Sequence, residues 1–137
     1  AEPSAYFALP EGQRGIFVGG GGSVRLPRLI GVARMADMML TGRVYSATEG
    51  AAYGCSQYLV EAGGALPKAL ELAERVAANA PLTNFAVLQA LPLIAEANPQ
   101  TGLLMESLMA TVAQSDKEAK RRIRAFLDRK TAKVKPT

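Results

Sequence analysis

Gly19, Gly20, Gly21 and Gly22 stand consecutively in a chain of 137 residues. Glycine loses more backbone freedom on ordering than any other residue, so such a run cannot be the interior of a helix or strand. It has to be a turn where backbone comes close to something. Its flanks fit that reading. Ile16-Phe17-Val18 leads in, and Ser23 is a good N-cap for a short helix over residues 25–30 that Gly31 ends. Pro27 falls near the start of that helix, where proline is tolerated. Upstream, residues 5–9 are an apolar run closed by Pro10, which reads as a buried strand, and residues 11–15 read as a loop. The glycines do not make a phosphate loop, because no Lys-Ser/Thr follows them. Nor does an acidic residue stand at the distance a dinucleotide site requires.

Residues 32–40 read as a second helix with Met35, Met38, Met39 and Leu40 on its apolar side, stopped by Thr41-Gly42. The Met stripe is read first as core packing. Val44-Tyr45 is a short extended piece. Ser46-Ala-Thr-Glu49 is a capping box that opens a helix ended by Gly54, and residues 57–60 read as a strand. From Leu66 the pattern is all helix. Leu66, Ala69, Leu70, Ala73, Val76 and Ala77 keep the spacing of one buried face, and Asn79-Ala-Pro81 ends it. Residues 83–96 form another helix, kinked at Pro92, which lacks an N–H. Asn98-Pro99 starts a helix carrying Leu103, Leu104, Leu108 and Val112. Ser115-Asp-Lys-Glu118 reads as a second capping box, opening a helix with Ile123, Phe126 and Leu127 on its apolar side, and residues 131–137 are expected to fray. Two or three short strands cannot close a core by themselves. The front of the chain therefore reads as the end of a sheet-containing α/β domain.

Charge is unevenly placed. Residues 1–116 hold seven Lys/Arg against ten Asp/Glu, and residues 117–137 hold nine against two. The basic excess thus sits on the last helix, as Lys117, Lys120, Arg121, Arg122, Arg124, Arg129 and Lys130. A solvated face, a phosphate-bearing ligand or an acidic partner could each explain it. The absence of histidine excludes a Ser-His-Asp triad, a Cys-His pair and a His-based zinc site. A lone Cys55 excludes an intrachain disulfide and a cysteine metal cluster, and it fits a reducing, cytoplasmic setting. Cys55 itself reads as a small buried hydrophobe, and Tyr45, Tyr53 and Tyr58 are hydrogen-bond donors with no assigned site. No apolar run is long enough to span a bilayer, and the first residues lack the basic segment of a signal peptide.

The stretch Phe7-Ala-Leu-Pro-Glu11, then Gly15-Ile-Phe-Val-Gly-Gly-Gly-Gly-Ser-Val-Arg-Leu-Pro-Arg-Leu-Ile-Gly31, resembles the crotonase (enoyl-CoA hydratase/isomerase) superfamily. The likeness continues through Leu40-Thr-Gly-Arg43 and Ser46-Ala-Thr-Glu-Gly-Ala-Ala-Tyr-Gly54, and closes at Ala125-Phe-Leu-Asp-Arg-Lys130. Five motifs in the right order and spacing cover nearly the whole chain. The resemblance implies a crotonase-like ββα superhelix, of which this is the C-terminal portion. Residues 1–61 would be the end of the core, and residues 62–137 a helical subdomain for oligomerisation and CoA contact.

The same resemblance implies a site. Glu11 matches the family's second glutamate, which gives or takes a proton beside the thioester carbonyl. Such work favours apolar surroundings, and Phe7, Leu9, Ile16 and Phe17 flank it. Gly19, Gly20 and Met38 would border the substrate pocket, with Val18 standing where the family usually has proline. Phe126 and Lys130 look like contacts to the adenine and phosphates of CoA, often those of a neighbouring subunit. Arg121-Arg122 departs from the family's usual acid and glycine.

The expected activity is hydration or double-bond isomerisation of an acyl-CoA through an enolate. The oxyanion hole would come from the family's N-terminal half. No metal or separate cofactor is expected, since CoA arrives with the substrate. Expected partners are that missing half and further copies in a trimer or hexamer. The competing reading is a binding module that holds RNA or an acidic surface on the basic helix, although no aromatic platform interleaves its charges. A third, structural reading gives the apolar faces of residues 66–77 and 103–112 to oligomer contacts.

Overall fold

The computed structural model describes residues 1–131. They divide into two compact units, Ala1–Glu71 and Leu72 onward.

In the first unit, β1 (Tyr6–Phe7) pairs antiparallel with β2 (Tyr45–Ser46), with Tyr6 opposite Ser46 and Phe7 opposite Tyr45. A 3₁₀ turn (Gly12–Arg14) follows β1. Next come α1 (Gly22–Ile30), α2 (Val32–Thr41) and, after β2, α3 (Ala47–Tyr53). The core gathers Ile30, Met35, Met38, Met39 and Tyr45, with Phe7, Leu9, Val18, Leu26, Tyr53 and Cys55 packed around them. Tyr45 meets Tyr53 edge-on, centroids 5.1 Å apart, and Arg34 and Arg43 stack on the two rings at 4.3 and 4.9 Å. The Met stripe is therefore core, as its spacing implies, but Leu40 is 82% exposed and leaves it.

Local chemistry explains several boundaries. Ser46 Oγ accepts from Glu49 N (3.3 Å) while Glu49 Oε2 accepts from Ser46 N (3.0 Å), so the capping box starts α3. Gly42 and Gly54 take positive φ and end α2 and α3. Three expectations need correction here. Ser23 is not the N-cap of α1: Gly21, at φ 83°, takes that place and Ser23 lies inside the helix. Pro27 consequently sits in the helix interior rather than at its start. Residues 57–60 form no strand, and the Val60 N–H instead donates to the Ala1 carbonyl at 3.0 Å.

α4 (Ala65–Ala77) runs across the division of the chain. The second unit continues with α5 (Pro81–Phe85), a π turn (Ala86–Ala90), α6 (Leu91–Glu96), α7 (Pro99–Ser115) and α8 (Lys117–Leu127). The expected kink at Pro92 takes the form of this π turn. The proline ring crowds the carbonyl four residues back, and widening the preceding turn accommodates it. Asn98 caps α7 by accepting from Thr101 N at 3.0 Å. At α8 the cap is Asp116, not Ser115. Asp116 accepts from Glu118 N, and the Glu118 carboxylate turns instead to arginines. Small residues fill the buried positions: Ala80, Ala90, Gly102 and Ala119. The faces expected to be buried are not. Leu66, Leu70, Leu103, Leu104 and Leu108 are each more than half exposed, as are Phe126 and Leu127. Helical spacing reports amphipathicity, and nothing in residues 1–131 covers these stripes. Of the residues expected to fray, 132–137 lie outside the described residues.

Candidate active site

Glu11 is placed by the turn it opens. Its carbonyl accepts from Arg14 N and Ile16 N, both at 3.0 Å, and Gly15 closes the turn at φ 70°. The side chain is the unusual part. Glu11 Oε2 is buried and has no hydrogen-bond partner among the described residues. Buried carboxylate oxygens are normally paired, because an unpaired one loses water without replacement. Phe7 and Leu9, which precede it, pack on the core, whereas Ile16 and Phe17 are 59% and 74% exposed. Of the four apolar residues that flank Glu11 in sequence, two thus join the core and two face solvent.

The turn that carries Glu11 rests on the end of α2. Gly12 lies against the Met39 carbonyl: a Cβ there would be 2.0 Å from that oxygen. Gln13 Nε2 donates to the Thr41 carbonyl at 3.3 Å. Neither contact has a sequence signal beyond the glycine directly after the glutamate.

The glycine run is a turn, with Gly20 and Gly21 at φ 62° and 83°. Gly22 N donates to the Gly19 carbonyl (3.0 Å), and Arg25 Nη2 donates to the Gly20 carbonyl (2.6 Å). Gly19 and Gly20 are exposed, with open space where a Cβ would stand. Met38 is 1% exposed and lies inside the core cluster. Glu11, Gly19, Gly20 and Met38 thus share the first unit. Cys55 is a free thiol, and burial pushes its pKa up, away from thiolate reactivity.

In the second unit, Lys117, Lys120, Arg121, Arg124, Asp128 and Lys130 line a groove of about 490 Å³ along α8. Lys130 Nζ lies 3.2 Å from Asp128 Oδ2, and the Phe126 ring is exposed. Glu118 binds Arg121 (2.6 and 2.8 Å) and Arg122 (2.6 Å), and Arg122 Nη2 reaches the Ala78 carbonyl (2.7 Å). Hydrogen bonds from Arg121, then Arg122, hold the Glu118 carboxyl down at about 2. The basic surface is therefore partly neutralised from within. Among the described residues, no three His, Cys, Asp or Glu side chains gather as a metal site, and no helix is long and apolar enough to cross a membrane.

Comparison with known proteins follows the same lines. The family model described as enoyl-CoA hydratase/isomerase matches residues 1–136. A 2,3-dehydroadipyl-CoA hydratase of Escherichia coli (strain K12) is 33% identical over 135 residues, which are 98% of this chain and 53% of that protein. A crystal structure of an enoyl-CoA hydratase from Bacillus anthracis superposes with a TM-score of 0.85 at 34% identity, covering 93% of this chain and 50% of that one. A Rhodopseudomonas palustris CGA009 chain, solved as a candidate enoyl-CoA hydratase, is 85% identical with a TM-score of 0.88, over 97% of this chain and 52% of that one. This chain thus spans about half the length of each of these three. The fold is that of crotonase-type proteins, seen here as a helix-rich portion with a small sheet. The competing reading of α8 as a holder of RNA or an acidic partner gains nothing from these relatives.

Proposed function

This chain belongs to the enoyl-CoA hydratase/isomerase family, and from that premise we propose that the whole protein acts on acyl-CoA thioesters, by hydration or double-bond isomerisation. The observation that carries this reading is the buried, unpartnered Oε2 of Glu11. A carboxyl oxygen withdrawn from water and free of protein donors is available to exchange a proton with a substrate carbon. In hydration, the oxygen of water bonds to C3 as the C2–C3 π bond opens toward the thioester, and the proton that water gives up passes to a carboxylate assigned to the part of the relatives' length that this sequence does not span. The resulting enolate then takes a proton at C2 from Glu11. In isomerisation no water adds: a proton leaves one carbon to give a dienolate and returns at another carbon, so that the double bond moves. The N–H groups that hold the enolate oxygen are assigned to the part of the relatives' length that this sequence does not span. The Lys130 end of the α8 groove, with Phe126, is assigned to the phosphates and adenine of CoA, in a trimer or hexamer of cytoplasmic location. The positive lining supports the phosphate assignment.

The test is turnover of crotonyl-CoA by the full-length protein and its Glu11→Gln variant. A loss of about 10²–10⁴-fold in kcat is expected, the range for a lost general acid or base. Undiminished turnover by Glu11→Gln overturns the proposal. Residues 1–137 alone are expected to be inactive, since loss of a single oxyanion donor already costs about 10²–10³-fold.

A further inference from the structure

We propose that Gln13 is a positioning residue for Glu11, fixing where its carboxyl stands relative to the core. This rests on the role given to Glu11 above. The hydrogen bonds of the 3₁₀ turn shape the turn, but they do not tie it to anything else. Glu11 Oε2 has no hydrogen-bond partner among the described residues, so that oxygen does not anchor the side chain. The placement of that oxygen therefore depends on how firmly its backbone is held.

Two adjacent contacts with the last turn of α2 help hold that backbone. At Gly12 the missing Cβ lets the chain meet the Met39 carbonyl. At Gln13 the side-chain amide donates to the Thr41 carbonyl, one of the terminal carbonyls that no helical N–H can reach. The amide also fills the space above Gly42, where a Cβ would lie 2.0 Å from Nε2 and 2.7 Å from Oε1. α2 is itself fixed by Met35, Met38 and Met39 in the core. A chain of contacts thus runs from buried methionines, through the end of α2, to the residue beside Glu11. Proton transfer to carbon depends steeply on alignment, so a loosened turn should slow chemistry more than binding.

Gln13 is exposed, which separates this role from a structural one. Its hydrogen bond contributes little to stability, and Gln13→Met keeps the length while removing the donor. The experiment measures kcat, KM and Tm of the full-length protein with crotonyl-CoA for Gln13→Met, Gly12→Ala and Glu11→Gln. Gln13→Met is expected to lower kcat about tenfold, with KM and Tm close to the parent values. Gly12→Ala should lower kcat at least as much. If Glu11→Gln is inactive while Gln13→Met keeps full kcat, the positioning role is overturned and the role of Glu11 stands. If Gln13→Met loses Tm together with kcat, the residue is structural and the proposal also fails. If Glu11→Gln turns over normally, the proposed function falls and this inference falls with it.

Discussion

The ring of Phe7 occupies the space that a side chain at residue 50 would need. A Cβ on Gly50 would lie 2.2 Å from Phe7 Cε2 and 2.3 Å from Cδ2. β1 and α3 are thereby locked face to face, next to the ladder in which Phe7 pairs with Tyr45.

Gly50→Ala therefore sets two effects against each other. Alanine favours a helix by about 1 kcal/mol over glycine. Overpacking a filled site costs about 1–3 kcal/mol, and a ring held between two elements has little room to yield. The net expectation is a loss of stability, read as a lower urea midpoint with an unchanged slope. A midpoint that rises would show that the ring moves aside freely.

Met38→Ala tests the core against the pocket. Met38 is 1% exposed, so truncation should cost about 2–5 kcal/mol in a denaturation experiment. Should Met38 also border the acyl chain in the full-length protein, the same variant will shift preference toward longer substrates. A stability change under 1 kcal/mol would contradict the core placement.

The capping box at α3 gives a pH-dependent prediction. Hydrogen bonds from the Ser46 backbone and hydroxyl, then from Arg43, lower the Glu49 carboxyl below its ordinary 4.5. A group depressed on folding stabilises above its unfolded value and loses that contribution as pH falls through the folded one. Acid below about 4.5 should thus fray the start of α3, visible as a lower protection factor at the Ser46 amide, which donates to Glu49 Oε2. Ser46→Ala should destabilise by about 1 kcal/mol at neutral pH.

Glu118 behaves the same way with a wider window. Its carboxyl titrates at about 2 rather than 4.5, so its grip on Arg121 and Arg122 should persist well into acid and fail only near pH 2. A side-chain carboxyl NMR titration with its midpoint near 4.5 would refute this. Glu118→Gln should remove the negative charge that pairs Arg121 and Arg122 at neutral pH, with Arg122 still on the Ala78 carbonyl, and raise the positive potential of the α8 groove, which Arg121 lines. In the full-length protein, tighter binding of CoA at low salt is the expected result.

What the sequence made legible was local. Ser46-Ala-Thr-Glu49 could be read because both of its hydrogen bonds close within four residues. Asn98-Pro99 and the stop at Gly42 were readable for the same reason. Ser23 failed as a cap because Gly21, two residues earlier, already takes the N-cap place in a left-handed conformation. Ser115 failed because its neighbour Asp116 reaches the same N-terminal amides. The stripes of Leu66–Val76 type failed differently: periodicity says which side of a helix is apolar, not what lies over it. At the candidate site, Glu11 came from resemblance to a family. Gln13 and Gly12 were out of reach, since their partners, Thr41 and Met39, lie 28 and 27 residues away along the chain.

The edge contact between Tyr45 and Tyr53 has a practical consequence. The chain has four tyrosines and no tryptophan, and Tyr6, Tyr45, Tyr53 and Tyr58 all precede residue 72. Its tyrosine dichroism in the near ultraviolet is therefore an optical signal of the first unit, to which the packed Tyr45–Tyr53 pair contributes. The helices after α4 are spectroscopically silent in that band apart from phenylalanine. Melting curves recorded by near-ultraviolet and far-ultraviolet light will accordingly report on different parts of the molecule.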